Sequence, residues 1–350
     1  MSVPHPVHAF AGLTAALLLC GVGAAQKGEP QPPPAKPIER PTLALKLTGP
    51  YTHDNLTIFL IHGDDQMKGR KFLTLDEALE QKKVVVHETK NVNQLAVENV
   101  SDKDEVFIQA GDIVKGGQQD RVLAFDLVVP PKSGKVAINS FCCEAGRWTK
   151  RGAEDARNFN SSKDQVATKD LKLAARRSMS QREVWDNVSK AQAKLAENAK
   201  APVQSADSKT SLQLTLEHKK VLEAIDGYVK KLTPAVAGQK DVIGYAFAVN
   251  GQVNSADVYA SSALFKKLWP KLLKASAVEA FHELKKDKKF EVVKGEEVLA
   301  FLADPEKGKK SQKDIDKRLS QVLKETEKTV LFETCDKANG QCLRRSYIAK

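Results

Sequence analysis

The alternation of apolar and polar positions changes character near residue 165. Before it, Val, Ile, Leu and Phe come in short runs that alternate with polar residues, separated by turn-forming residues. These runs predict strands at Leu43–Leu47, Leu56–Ile61, Val84–Glu88, Leu95–Asn99, Val106–Gln109, Arg121–Val129 and Val136–Phe141. One short helix is expected among them, because Thr74-Leu75-Asp76-Glu77 has the form of a capping box ahead of Ala78 and Leu79.

Beyond residue 165 the period becomes helical. Ser180-Gln181-Arg182-Glu183 is a second capping box, opening a helix with Val184, Trp185, Val188, Ala191 and Leu195 inward. A polar loop is expected over residues 199–211, and Leu222, Ile225, Val229 and Leu232 form the next apolar stripe. Val242 to Val258 predicts a hairpin turning at Asn250-Gly251, and Ser261 to Leu284 a helix that Pro270 should kink or restart. A short helix at Glu296–Leu302, a Lys-rich loop at 305–313, a further helix and a closing hairpin complete the pattern. The class is α+β, with a β-rich N-terminal half (42–150; a sandwich or partly open barrel) followed by a helix-rich α/β half (151–350), the two packed as one unit.

Composition adds the compartment. The chain has 350 residues, 41% hydrophobic and 28% charged, which places it among globular proteins. Its first 25 residues contain no Lys, Arg, Asp or Glu, and Ala9–Ala25 is an apolar core ending in small residues, the form of an export signal. Residues 26–41 hold six of the 15 prolines and read as a stiff spacer. The expected product is an exported protein, periplasmic or secreted, with no transmembrane segment after signal removal. A lipoprotein at Cys20 or an uncleaved anchor is the alternative, although Leu19 is larger than lipoprotein processing favours.

The whole net charge of +11 falls in residues 161–350, much of it in Lys pairs such as Lys219–Lys220 and Lys285–Lys286. Glu and Asp interrupt those pairs and no aromatics alternate with them, so solvated helix faces are favoured over nucleic-acid binding. An anionic envelope polymer is the alternative partner to a small anionic ligand. Cys335 and Cys342 flank a turn containing Asn339-Gly340 and are expected to form a cross-hairpin disulfide. The adjacent Cys142 and Cys143 are expected as thiols. No HExxH or i, i+4 histidine pair is present, and neither a metal nor another cofactor is expected.

Two stretches concentrate polar chemistry. In the first, Gly116-Gly117-Gln118-Gln119-Asp120-Arg121, Gly117-Gln118 stands where a Walker loop needs Lys and then Ser or Thr. The segment instead reads as a tight turn presenting Gln119, Asp120 and Arg121 from a strand end, either toward a ligand or as a buried Asp–Arg pair. In the second, Cys142-Cys143-Glu144-Ala145-Gly146-Arg147-Trp148, the Cys-to-Arg spacing is too short for a phosphatase loop. Glu144, Arg147 and Trp148 could offer a carboxylate, an anion fork and a stacking face, or could form a small polar cluster under a Trp lid.

These residues also carry a resemblance. Gly111-Asp112, Gly116-Gly117-x-Gln119-Asp120-Arg121 and Cys142-x-Glu144-x-Gly146-Arg147-Trp148 resemble the ARPP-type family, named for association with ADP-ribosylglycohydrolases and rhodanese-phosphatase-superfamily proteins. Val92-Asn93-x-Leu95 with Asn99, and Gln181-x-x-Val184-Trp185, add weaker support. The family name records gene neighbourhood and implies a link to ADP-ribose or related nucleotide chemistry. An exported chain does not meet the cytosolic NAD pool, which argues against simple NAD salvage.

Together these readings place both motifs at one cleft. Arg121, Gln119, Gly116, Gly117, Arg147 and Trp148 would bind a small anionic nucleotide- or sugar-phosphate-like ligand there. Glu144, Asp120 and Cys142 would be the candidates for cofactor-independent hydrolysis. The rival expectation is a non-catalytic binding or structural protein of the cell envelope.

Overall fold

The computed structural model describes Met1, residues 45–286 and residues 288–350. The expected export signal and proline-rich spacer lie outside the described residues. In chain order the first strands are β1 (Lys46–His53), β2 (Leu56–His62), β3 (Phe72–Thr74), β4 (Val84–Asn91), β5 (Gln94–Asn99) and β6 (Glu105–Ile108). Then come β7 (Asp112–Gly116), β8 (Arg121–Leu123), β9 (Leu127–Val129), β10 (Lys135–Cys142) and β11 (Phe159–Gln165). The remaining strands are β12 (Val242–Val249), β13 (Gln252–Tyr259), β14 (Lys309–Asp314), β15 (Leu319–Glu325), β16 (Thr329–Asp336) and β17 (Cys342–Ala349). The helices are α1 (Leu75–Glu80), α2 (Lys169–Leu173), α3 (Gln181–Ala199), α4 (Leu212–Leu216), α5 (Lys219–Leu232), α6 (Ser262–His282) and α7 (Gly295–Ala303). The class is α+β, β-rich first and with helices following.

The largest sheet has eight strands in the order β1-β2-β12-β13-β17-β16-β15-β14, all antiparallel, so both ends of the described chain contribute to it. Period-two alternation decides its faces. Leu56, Ile58 and Leu60 join Tyr245 and Phe247 in the core that includes α6, while Phe59 and Ile61 join Ala246, Ala248 and Val298 of α7 on the other side. Helix α6 is buried nearly all round, as its apolar sequence requires, and bridges the large sheet to the smaller ones. It starts at Ser261, whose hydroxyl accepts the Leu264 N–H, a cap worth about 1 kcal/mol.

A six-stranded sheet, β11-β7-β8-β10-β5-β4, carries both polar motifs, and a three-stranded sheet, β3-β6-β9, packs nearby. The sheets are tied through buried charge. Arg344 of β17 donates to Asp257 of β13 (3.1 and 2.8 Å) and to Asp126 between β8 and β9 (2.7 Å). Thr334 of β16 donates to the other oxygen of Asp126 (2.7 Å). Cys335 and Cys342 face one another across β16 and β17 with sulfurs 2.11 Å apart, the cross-hairpin disulfide expected from their spacing.

Several local expectations need correction. Residues 309–314 and 319–325 form strands where a loop and a helix were expected. Lys309–Asp314 is exposed along its whole length as the outermost strand, so it carries no apolar alternation to read. Strand Arg121–Val129 is broken into β8 and β9, and the Gly111–Arg121 segment contains a strand of its own, β7. Helix α6 continues through Pro270. Trp185 and Leu222 are partly exposed rather than inward, and the buried stripe of α5 is Val221, Ile225, Tyr228 and Leu232. Among the described residues no helix is long and apolar enough to cross a membrane.

Candidate functional site

The β7–β8 hairpin sets the site. Its connection, Gly117 to Asp120, needs glycine at its start: Gly117 has φ +57°, and a Cβ there would lie 2.3 Å from the Phe159 ring. The Asp120 carboxylate accepts the Gly116 N–H at 3.0 Å and closes the loop on itself. Asp120 is fully buried. It takes both ends of the Arg151 guanidinium (2.9 and 3.1 Å) and the Ser211 hydroxyl (2.9 Å). Ser211 also caps α4 by accepting the Leu214 N–H, so one hydroxyl fixes the helix start to the carboxylate.

Glu144 follows β10 and is equally buried. Arg147 grips it through Nε (2.7 Å) and Nη2 (2.6 Å), and the Asp120 N–H donates to it at 3.2 Å. The two Arg–carboxylate pairs are cross-linked, with Arg151 3.6 Å from Glu144 and Arg147 3.8 Å from Asp120. Burial opposes ionisation of Glu144, but hydrogen bonds from Arg147 and Ser208 outweigh it and hold the carboxyl below its ordinary range. Burial also works against the Arg151 charge, and Asp120 and Glu154 more than compensate, raising its pKa. The remaining hydrogens of Arg147 go to the Thr149 and Gly117 carbonyls, and those of Arg151 to Glu154.

Arg121 lies deeper. It is fully buried, donates to the Gln119 carbonyl (2.8 Å) and to Glu88 of β4 (3.3 Å), and has Trp148 over its guanidinium at 5.5 Å. Gln119 turns inward and donates to the Glu144 carbonyl at 2.8 Å. Cys142 is the strand partner of Arg121, and Gln181 brackets its backbone with two 2.8 Å bonds. Burial pushes the Cys142 thiol up to about 11 and holds that of Cys143 well above its ordinary value, so both are protonated at neutral pH.

Over this network lies an open cleft of about 990 Å³. Five cationic side chains line it, Lys115, Arg147, Lys150, Arg151 and Lys209, against the acids Glu154 and Asp207. Hydroxyl groups of Thr149, Ser208 and Thr210 stand among them. Among the residues singled out from sequence, Asp120, Glu144 and Arg147 meet in one network, with Gly116 and Gly117 as its frame. Of that set only Arg147 lines the cleft; Arg121, Gln119, Cys142 and Trp148 lie outside its lining.

Against this geometry, the family model described as the ARG and Rhodanese-Phosphatase-superfamily-associated Protein domain, ARPP-1, matches residues 44–343. The chain belongs to the ARPP-1 family. No curated protein and no solved structure matches it. The ARPP-1 match spans both polar motifs and nearly all of the three sheets.

Sequence reasoning missed Arg151, Ser211, Glu88 and the cleft lysines. Arg151 sits one turn-length beyond Arg147, in a segment with no recognisable periodicity. Ser211 comes from a helix start far along the chain. Only the acid at the end of the predicted strand Val84–Glu88 carried a signal, being a charge where an inward apolar residue would be ordinary. Among the described residues no group of three or more His, Cys, Asp or Glu side chains could hold a metal ion.

Proposed function

We propose that this ARPP-1 chain is an exported protein that binds an anionic nucleotide- or sugar-phosphate-like ligand, such as an ADP-ribose derivative, in the cleft above Arg147 and Arg151. The observation that carries the reading is the cleft lining, where cations outnumber acids by five to two beside three hydroxyl-bearing side chains. Lys150 and Lys209 are the cations whose ammonium groups remain for a ligand. The buried network beneath them acts as a rigid floor that fixes their backbone. Export rests on the uncharged, apolar first 25 residues.

Binding is favoured over hydrolysis. Asp120 and Glu144 have their lone pairs taken by guanidinium, hydroxyl and backbone donors, and Glu144 is held in its ionised form, which makes it a weak base. The protonated Cys142 thiol is a poor nucleophile. One observation favours the rival reading, a non-catalytic envelope or structural protein: the guanidinium hydrogens of Arg147 and Arg151 are already engaged within the protein.

The test is a thermal-shift series on the full chain with ADP-ribose, ADP, ribose 5-phosphate and inorganic phosphate. A ligand at about a hundred times its dissociation constant adds roughly 2.7 kcal/mol. Binding in the cleft predicts a shift that disappears when Lys150→Glu and Lys209→Glu are combined. No shift with any of the four compounds would favour the envelope or structural role.

A further inference from the structure

A second polar site lies away from the cleft, where the chain turns from α2 into α3. Residues Ala174–Ser178 form a single π-helical turn, a geometry that displaces its side chains from the α-helical positions. It drives Arg176 into the interior, where only 3% of the residue is exposed. The guanidinium rests 4.2 Å over the Phe332 ring and donates through Nη1 to the Ser346 hydroxyl at 2.8 Å. Its other edge, Nε and Nη2, makes no hydrogen bond within the protein. Two parallel N–H donors on a buried guanidinium edge represent a large desolvation cost unless something accepts from them.

Both nearby carboxylates are already taken by Arg344, which holds Asp257 and Asp126. Arg176 instead borders a small pocket of about 10 Å³, walled also by Lys172, Arg344, Asp257, Ser255 and Ser346. That volume is about the least that holds one water, so the pocket takes a single water or one small ion. Charge separates the two. In its lining the cations Arg176, Lys172 and Arg344 face a single acid, Asp257. Asp257 and Asp126 are both held by Arg344, so the Arg176 charge has no carboxylate of its own.

We infer that this pocket is a binding site for one small monovalent anion of halide size, held by the Nε–Nη2 edge of Arg176. The half-buried Lys172 adds the second cation. The anion neutralises the Arg176 charge and fastens the π-turn to β17 of the large sheet. The site is separate from the cleft and does not depend on what the cleft binds.

The experiment is thermal unfolding of the full chain in sodium chloride against sodium gluconate at equal ionic strength. Chloride is expected to raise the midpoint saturably, bromide to replace it and gluconate to do neither. Arg176→Met should abolish the chloride-specific rise, and Lys172→Met should weaken the apparent halide affinity about tenfold. Equal midpoints in the two salts, or an undiminished chloride rise in Arg176→Met, would overturn the site. Should Arg176→Met fail to fold, crystals of the unaltered chain grown in bromide decide the matter. Anomalous signal beside Nε and Nη2 supports the anion, and a non-anomalous water there refutes it.

Discussion

Two buried arginine–carboxylate networks in this molecule use the same chemistry and serve opposite ends. In the first, Arg344 lies between Asp257 on the next strand of its own sheet and Asp126, which sits between β8 and β9 of the smaller sheets. It borders no more than the small pocket of about 10 Å³ beside Arg176 and ties the sheets together. In the second, Arg151 and Arg147 hold Asp120 and Glu144, but all four residues come from connections, after β10 or between β7 and β8, and a large open cleft lies above. A buried ion pair is therefore no marker of a site on its own. What distinguishes the second network is that its arginines line an open cleft, in company with Lys150 and Lys209, whose ammonium groups are not committed to carboxylates.

Substitutions can break this distinction, starting with the largest effect. Arg344→Met strands two buried carboxylates and is expected to cost about 4 kcal/mol or more, read as a lower urea midpoint or loss of the folded state. Arg151→Met should cost less, about 3 kcal/mol, because Asp120 keeps Ser211 and the Gly116 N–H and gains water through the cleft. Equal losses in the two variants would mean that the cleft brings Asp120 no such relief.

Acid should erode both networks. For Asp126, burial opposes ionisation, but Arg344, Arg176 and Thr334 outweigh it, so its folded pKa, like that of Glu144, lies below the unfolded values of 3.8 and 4.5 respectively. Their stabilisation is full above those unfolded values and is lost as pH falls through the folded ones. Urea midpoints should therefore decline as pH drops below about 4.5, and Glu144→Gln should flatten part of that decline; a slope unchanged in this variant would remove Glu144 from the account. The smallest effect belongs to the cleft: Lys150→Glu with Lys209→Glu should change stability by no more than about 0.5 kcal/mol, measured in the same urea titration. A larger loss would show that these lysines support the fold.

Legibility followed locality. The turn at Asn250-Gly251 could be read because both residues adopt positive φ (53° and 75°) between alternating strands, a preference written in two adjacent letters. The caps at Thr74 and Ser180 were likewise local and mark the starts of α1 and α3, a full capping box at Thr74 and, at Ser180, only the hydroxyl accepting the Glu183 N–H. Strand β14 could not be read, since Lys-Lys-Ser-Gln-Lys-Asp takes its structure from pairing with β15 and from nothing in its own pattern. The site divided in the same way. Asp120, Arg121, Glu144 and Arg147 stood out as unusual residues at strand ends, but whether each faced ligand or core depended on Glu88, Arg151 and Ser211, which reach them from other parts of the chain. Buried arginines such as Arg176 and Arg344 left no trace at all, being indistinguishable in sequence from surface charge.

The order of strands in the large sheet governs how the molecule must assemble. β17, residues 342–349, lies between β13 and β16, well inside the sheet, and β2 near the start pairs with β12. Closing such distant pairings is slow, because the loop entropy is lost before the contacts form. During synthesis β13 and β16 would wait with bare edges until the strand that separates them emerges, a window in which they could pair with another chain. Premature termination near residue 340 should therefore yield an aggregating polypeptide rather than a shortened fold, even though every residue of the cleft would be present in it.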